Sequence, residues 1–186
     1  MPTSTDEDLV VLLDDEGRAS GAHPRGTVHH AATPLHLAFS CYLFDRAGRL
    51  LVTRRALTKR TWPGVWTNAF CGHPRPGESM PDAVRRHGRH ELGIEIDELE
   101  IVLPDFRYSA TDASGVVENE LCPVWFARTT GPISPHPDEV VDLRWVGQAD
   151  LERAVSAAPW AFSPWMVEQL DQLATRTRVA DLAKEN

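Results

Sequence analysis

The stretch Cys71-Gly72-His73-Pro74-Arg75-Pro76-Gly77-Glu78, running on to Glu91-Leu92-Gly93-Ile94, constrains this chain more than any other. Its prolines and glycines exclude a regular element, so a thiol, an imidazole and a carboxylate are carried on a loop. A helix is expected directly after it. Ser79 can serve as N-cap, Asp82 stands three residues on as a capping-box-like partner, and Pro81 is tolerated in the first turn. Gly93 is a fitting stop. On such a helix Ala83, His87 and Glu91, spaced by four, share one face. The glycine-rich entry leaves backbone N–H groups able to face an anion.

Around this centre the sequence reads as α+β, a mixed β-sheet packed between helices in a single domain over residues 1–186, with its core at about 28–183. Leu9–Leu13 is a short lead-in strand ended by the turn cluster Asp14-Asp15-Glu16-Gly17. Leu37–Phe44 and Leu50–Arg54 flank Asp45-Arg46-Ala47-Gly48 as a hairpin. Single strand-like runs follow at Ile101–Tyr108, Val116–Ala127 and Val140–Val146. Leu151–Ala157 and Ser163–Leu182 read as closing helices.

A length of 186 residues suits one domain with a substantial core. The formal charge of −8 argues against nucleic acid as the main partner but permits a local basic pocket for a small anion. Three cysteines, Cys41, Cys71 and Cys122, form neither a disulfide framework nor a paired-cysteine zinc motif, which suits a reducing compartment. No apolar run approaches a membrane span, and the acidic start lacks the layout of a signal peptide. The expectation is a cytoplasmic protein, acting as a monomer on a small molecule.

Several residues invite a chemical reading beside an ordinary one. Glu118 and Glu120 alternate along a strand and so share a face, which on most strands is a solvated one. Here the flanking residues are apolar: Val116-Val117 precede the pair, and Leu121 to Trp125 follow it. Cys71 could be a small buried hydrophobe, like Cys41 and Cys122 in their apolar strands. Its glycine- and proline-rich loop is instead a setting for a functional thiol. Arg54, Arg55, Lys59 and Arg60, with Arg25 upstream, concentrate positive charge in an acidic chain. His23, His30, His90 and His136 are assigned to surface or satisfied core positions.

The pattern Gly72, five residues, Glu78, seven residues, Arg86, then Glu91, one residue, Gly93 and Ile94 resembles the Nudix box of diphosphate-cleaving hydrolases. The box is degraded. Where the hydrolases carry three glutamates, this chain has His87, His90 and Glu91. Together with Cys71, His73 and the distant Glu118-Asn119-Glu120, the chain resembles the type I isopentenyl-diphosphate isomerases, which share the Nudix fold.

That resemblance implies an interconversion of isopentenyl and dimethylallyl diphosphate by protonation and deprotonation. It implies Cys71 and Glu120 as the acid–base pair, Tyr108 as a hydrogen-bond partner of Glu120, and Trp165, rather than Trp160, as an electron-rich face for a carbocation. Arg25, Arg55 and Lys59 match the diphosphate-binding positions, with Arg25 standing where a lysine is common. Glu91 and the Cys71 carbonyl would hold Mg²⁺ bound to the diphosphate. His29, His36, His73, Glu118 and Glu120 would ligate a second divalent cation, Mn²⁺ first, with Mg²⁺ or Zn²⁺ as alternatives. His30 adjoins His29 and could replace it. Glu78 and Arg86 are expected to brace the loop. Two other classes stay open: a Nudix-type hydrolase of a diphosphate-containing substrate and a non-catalytic metal-binding module.

Overall fold

The structure, a computed structural model, describes residues 9–184. Its centre is the strand Phe39–Phe44, every residue of which is buried except the last, half-buried one. Alternation sends Phe39, Cys41 and Leu43 to one face and Ser40 and Tyr42 to the other. The first face packs on the helix Met80–Leu92 through Ala83, Val84 and Leu92. The second packs on Val155, Trp165 and Met166 of the C-terminal helices. One strand therefore fixes both halves of the apolar core.

In chain order the strands are β1 (Leu9–Leu13), β2 (Ala19–Pro24), β3 (His36–Leu37), β4 (Phe39–Phe44), β5 (Leu50–Arg55), β6 (Trp66–Thr67), β7 (Phe70–Gly72), β8 (Glu98–Leu103), β9 (Arg107–Thr111), β10 (Val117–Leu121), β11 (Val124–Arg128) and β12 (Val140–Val146). The helices are α1 (Arg25–Val28), α2 (Met80–Leu92), α3 (Gln148–Ala157) and α4 (Pro164–Lys184). The α+β class holds, but the single expected sheet is two. One runs β2-β1-β3-β10-β9 and the other β12-β5-β4-β11-β8, with β6 and β7 attached to β5 and β4. Both mix directions, since β10 is parallel to β3 and β11 is parallel to β4.

The division corrects three of the sequence readings, the first being the strand Leu37–Phe44, whose Leu37 belongs to β3 in one sheet while Phe39–Phe44 form β4 in the other. The run 101–108 is two strands in different sheets, broken around Pro104-Asp105. The run 116–127 breaks at Cys122-Pro123, where the chain leaves β10 in one sheet for β11 in the other. A proline has no N–H to give to a ladder, so each of these last two breaks falls where pairing would fail. The hairpin around Asp45 forms, its carboxylate accepting from the Ala47 and Arg49 amides at 2.9 and 2.8 Å. Its arms then splay: β4 and β5 keep one ladder pair, Phe44 with Leu50, and β5 zips along β12 instead. The strand β2 was not expected; its mostly exposed, weakly apolar sequence gives no strand signal.

The central helix forms as its sequence dictates. Ser79 Oγ accepts from the Asp82 amide at 3.3 Å and donates to the Asp82 carboxylate at 2.6 Å. Gly93 adopts φ 63°, a left-handed cap that a side chain would resist. Glu78 and Arg86 brace the loop before it. The Arg86 guanidinium donates to both Glu78 oxygens at 2.7 and 2.6 Å, Glu78 accepts from the Arg75 amide at 2.9 Å, and Arg86 also donates to the His73 carbonyl at 3.1 Å. No helix among the described residues is long and apolar enough to cross a membrane.

Candidate active site

Where β7 ends and α2 begins, a cavity of about 510 Å³ opens between the two sheets. Cys71, Glu91, Tyr108, Glu118, Glu120 and Trp165 line it, and Arg25, Arg55 and Lys59 line it too. Residues scattered over 140 positions of sequence thus face one volume.

Glu118 and Glu120 sit on one face of β10, as alternation requires, and that face is buried: the two residues are 7 % and 5 % exposed. A carboxylate at such depth needs partners. Glu120 Oε1 lies 3.1 Å from His73 Nε2 and 3.4 Å from His36 Nε2, and Oε2 accepts from the Tyr108 hydroxyl at 2.9 Å. Burial works against the charge on Glu120, but the hydrogen bonds and charges of His36 and His73 outweigh it and hold the carboxyl well below its usual range. Glu118 Oε1 accepts from the Thr61 hydroxyl at 2.7 Å, and its Oε2 lies 3.1 Å from His29 Nε2.

Three imidazoles converge on these carboxylates. The His29, His36 and His73 ring centroids are 5.0 to 5.5 Å apart. The carbonyl of Pro34, 2.9 Å from His36 Nδ1, takes that nitrogen's hydrogen and leaves Nε2 facing the carboxylates. His36 Nε2 and His73 Nε2 then stand 3.2 Å apart. Burial pushes His73 down to about 4, against the opposing pull of the hydrogen bond to Glu120 and of its charge. Burial also acts on His36, but there the hydrogen bond and charge of Glu120 prevail and raise it. His29 Nε2 is buried and, although 3.1 Å from Glu118 Oε2, makes no well-aligned hydrogen bond.

One ligand atom from each of His29, His36, His73 and Glu120 falls within 4.8 Å of the others, so the group can hold a metal ion. Converging ring nitrogens and carboxylate oxygens, one of the nitrogens buried without a well-aligned hydrogen bond, are what a cation would satisfy, and such donors suit a divalent transition metal. The residues fit. His30 is excluded from the set: it lies on the surface, its Nδ1 accepting from the Ala32 amide at 3.1 Å.

The thiol of Cys71 faces the same cavity from β7. Burial pushes it up to about 11, against smaller opposing pulls from Ser40 and Asn68, so it carries its proton at neutral pH. Trp165 is 3 % exposed, whereas Trp160 is 84 % exposed. The Arg55 guanidinium carbon lies 5.3 Å from the Trp165 ring centroid, a cation–π distance, and its nitrogens donate to the Thr61 and Trp62 carbonyls. Lys59 forms an ion pair with Glu139. Burial draws its ammonium down, and the charges of Arg55 and Arg25 add to that against the pull of Glu91. An anion arriving here would relieve crowded cations.

Some of the lining could not be expected from sequence. Glu139 reaches the mouth from the loop before β12, and Thr61 links Arg55 to Glu118. His87 is buried, its Nδ1 2.9 Å from Glu91 Oε1. Only the helical spacing of four between His87 and Glu91 could have signalled that contact.

The sequence matches the NUDIX domain family over residues 34–166. The chain belongs to that family. Among solved structures it resembles a Deinococcus radiodurans protein with a TM-score of 0.68 at 19 % identity, covering 89 % of this chain and 98 % of that one. It also resembles the MutT protein of Methanosarcina mazei with a TM-score of 0.63 at 16 % identity, covering 77 % and 96 %. These establish the fold. Within the family the chain belongs with the proteins named isopentenyl-diphosphate Delta-isomerase. That of Agromyces mediolanus is 62 % identical over 92 % of this chain and 83 % of its own length. That of Mycolicibacterium vanbaalenii is 58 % identical over 93 % and 95 %.

Proposed function

We propose that this protein interconverts isopentenyl diphosphate and dimethylallyl diphosphate. The observation that carries the reading is the convergence of Cys71, Glu120, Trp165 and three cationic side chains on one cavity. The relatives' printed name is the same activity.

Arg25, Arg55 and Lys59 hold the diphosphate, which fixes the five-carbon chain with its double bond deep in the cavity. An alkene is a poor base, so its protonation calls for an acid pressed against it away from water. We assign that role to Cys71, which lines the cavity together with Glu120. Cys71 is a thiol and Glu120 a carboxylate. Cys71 gives its proton to the terminal methylene, whose π pair forms the new C–H bond and leaves a tertiary cation on the branched carbon. The Trp165 ring stabilises that cation through its negative face. Glu120 takes a proton from the adjacent methylene, and the electrons of that C–H bond become the new double bond. Tyr108, held at 2.9 Å, orients the Glu120 carboxyl.

A divalent cation bound by His29, His36, His73 and Glu120, with Glu118 beside them, would fix the carboxyl group and adjust its acidity. We assign Mn²⁺ to it on the mixed nitrogen and oxygen donors. Glu91 and the Cys71 carbonyl are the assigned ligands of a Mg²⁺ that arrives with the diphosphate. Every group named comes from this one chain, so a monomer suffices. A diphosphate hydrolase is disfavoured, because of the three Nudix glutamate positions on α2 only Glu91 keeps its acid.

Turnover of isopentenyl diphosphate in D₂O, followed by NMR with phosphate release measured in parallel, tests the reading. Wild type is expected to place deuterium in the product methyl group and to release no phosphate. Cys71→Ser and Glu120→Gln are each expected to bind substrate and lose about a hundred- to ten-thousand-fold in rate. Steady phosphate release abolished by Glu91→Gln would overturn it.

A further inference from the structure

Cys71 and Trp165 are 94 positions apart in sequence, and one buried side chain between them touches both. Asn68, with no exposed surface, lies just before β7. Its Nδ2 is 3.0 Å from the Cys41 carbonyl and 2.9 Å from the Phe70 carbonyl. Both are acceptors only, so both amide hydrogens are committed and the orientation of the amide is fixed. Nδ2 also stands 3.3 Å from Cys71 Sγ, but the shorter bonds hold its hydrogens.

Oδ1 therefore faces donors. The Thr67 hydroxyl reaches it at 2.9 Å, the Trp165 indole N–H at 3.0 Å and the Cys71 thiol at 3.4 Å. A carbonyl oxygen has two lone pairs, so three donors compete and the thiol, the weakest donor of the three, is held least. Its proton is the one most easily turned toward the cavity. On the other side of the sulfur, Ser40 Oγ lies at 3.4 Å. Gln169, itself accepting from the Tyr42 hydroxyl at 3.0 Å, donates to Ser40 at 2.9 Å, which leaves the Ser40 hydrogen able to turn toward a sulfur that has lost its own.

We infer that Asn68 is a positioning residue for the proton transfer: one carboxamide oxygen holds the Cys71 thiol and the Trp165 ring in fixed relation. The inference rests on the roles given above to Cys71 and Trp165. A buried asparagine that only satisfied the Cys41 and Phe70 carbonyls would stabilise the fold without coupling the two side chains. The coupling is what distinguishes the cases.

Two measurements test it. In protein labelled with ¹⁵N-tryptophan, the Trp165 indole resonance is the one lost in Trp165→Phe. It is expected to exchange slowly with solvent and to shift in Cys71→Ser, because the shared acceptor has changed one of its donors. Fast exchange, or an unmoved resonance, would overturn the inference without reference to activity. Kinetically, Asn68→Asp and Asn68→Ser are expected to lose about ten- to a hundredfold in kcat while KM changes less than about twofold, the mark of misplacement rather than lost binding. Combined with Trp165→Phe, either should lose less than the two single losses multiplied together; fully additive losses would overturn the inference. Should the Asn68 variants fail to fold, the resonance decides. If Cys71→Ser and Trp165→Phe both turn over at the wild-type rate, the proposed function fails, while the resonance still reports on Asn68.

Discussion

Gly72 and His87 occupy one space between them: a Cβ on Gly72 would lie 2.5 Å from both Cε1 and Nε2 of the imidazole. The ring is lodged between the β7 backbone and the Glu91 carboxylate, which lies 2.9 Å from Nδ1. Gly72→Ala is therefore expected to force the ring aside and cost about 1–3 kcal/mol, the usual penalty of overpacking. Urea denaturation should show this, and adding His87→Ala should recover most of the loss. An unaltered midpoint in Gly72→Ala would mean that the ring can move at no cost.

Glu118→Gln and His36→Ala are each expected to lose bound metal together with activity. His136→Ala should keep both, since that side chain lies on the surface beside His90, outside the three-imidazole cluster. Metal content measured by atomic emission after gel filtration checks this. Full occupancy in His36→Ala would remove that residue from the ligand set.

At Trp165 the two conservative replacements should part company. Trp165→Phe keeps a weaker π face and part of the turnover, whereas Trp165→Leu keeps only bulk and should lose far more. Equal losses in steady-state rate would assign the ring to packing.

Stability of the metal-free protein should fall as pH is lowered from 6.5 toward 4. Burial holds His73 at about 4 in the folded chain against 6.5 for a free imidazole. Across that window the unfolded chain binds the extra proton, so the neutral histidine's contribution, present above 6.5, is lost on acidification. His36, raised by Glu120 despite its burial, acts in the opposite sense: its contribution is present below 6.5 and fades as pH rises above it. Denaturation midpoints in EDTA should therefore slope less between pH 6.5 and 4 in His73→Gln than in wild type. Identical slopes would assign the acid sensitivity elsewhere.

Much of this site is legible in sequence because its signals are local. The Cys71–Glu78 loop, the Ser79 cap, the Gly93 stop and the Glu118–Glu120 alternation each depend on residues within a few positions. The choice between His29 and His30 waited on burial, which a sequence does not display, and Trp165 was separable from Trp160 only through the family resemblance, with which its burial agrees. Asn68, Thr61 and Glu139 carry no motif; their partners lie 57 to 97 positions away for the Thr61–Glu118 and Asn68–Trp165 contacts, and 80 for Lys59–Glu139. The two later strand breaks were legible in principle. Pro104 and Pro123 mark them, but the apolar runs on either side are continuous enough to hide a change of sheet.

The passage of the chain through Cys122-Pro123 places the two proposed proton carriers on separate supports. Glu120, with Tyr108 and His36, belongs to the β2-β1-β3-β10-β9 sheet, while Cys71 and Arg55 belong to the other. The gap between acid and base is consequently the gap between two sheets, and no single loop adjusts it. Ser40, in contact with both the Cys71 and the Cys122 sulfurs at 3.4 Å, acts as a spacer in that joint. The cavity is a calliper whose setting is held by buried contacts such as those of Ser40, in the interior of the fold rather than at its surface.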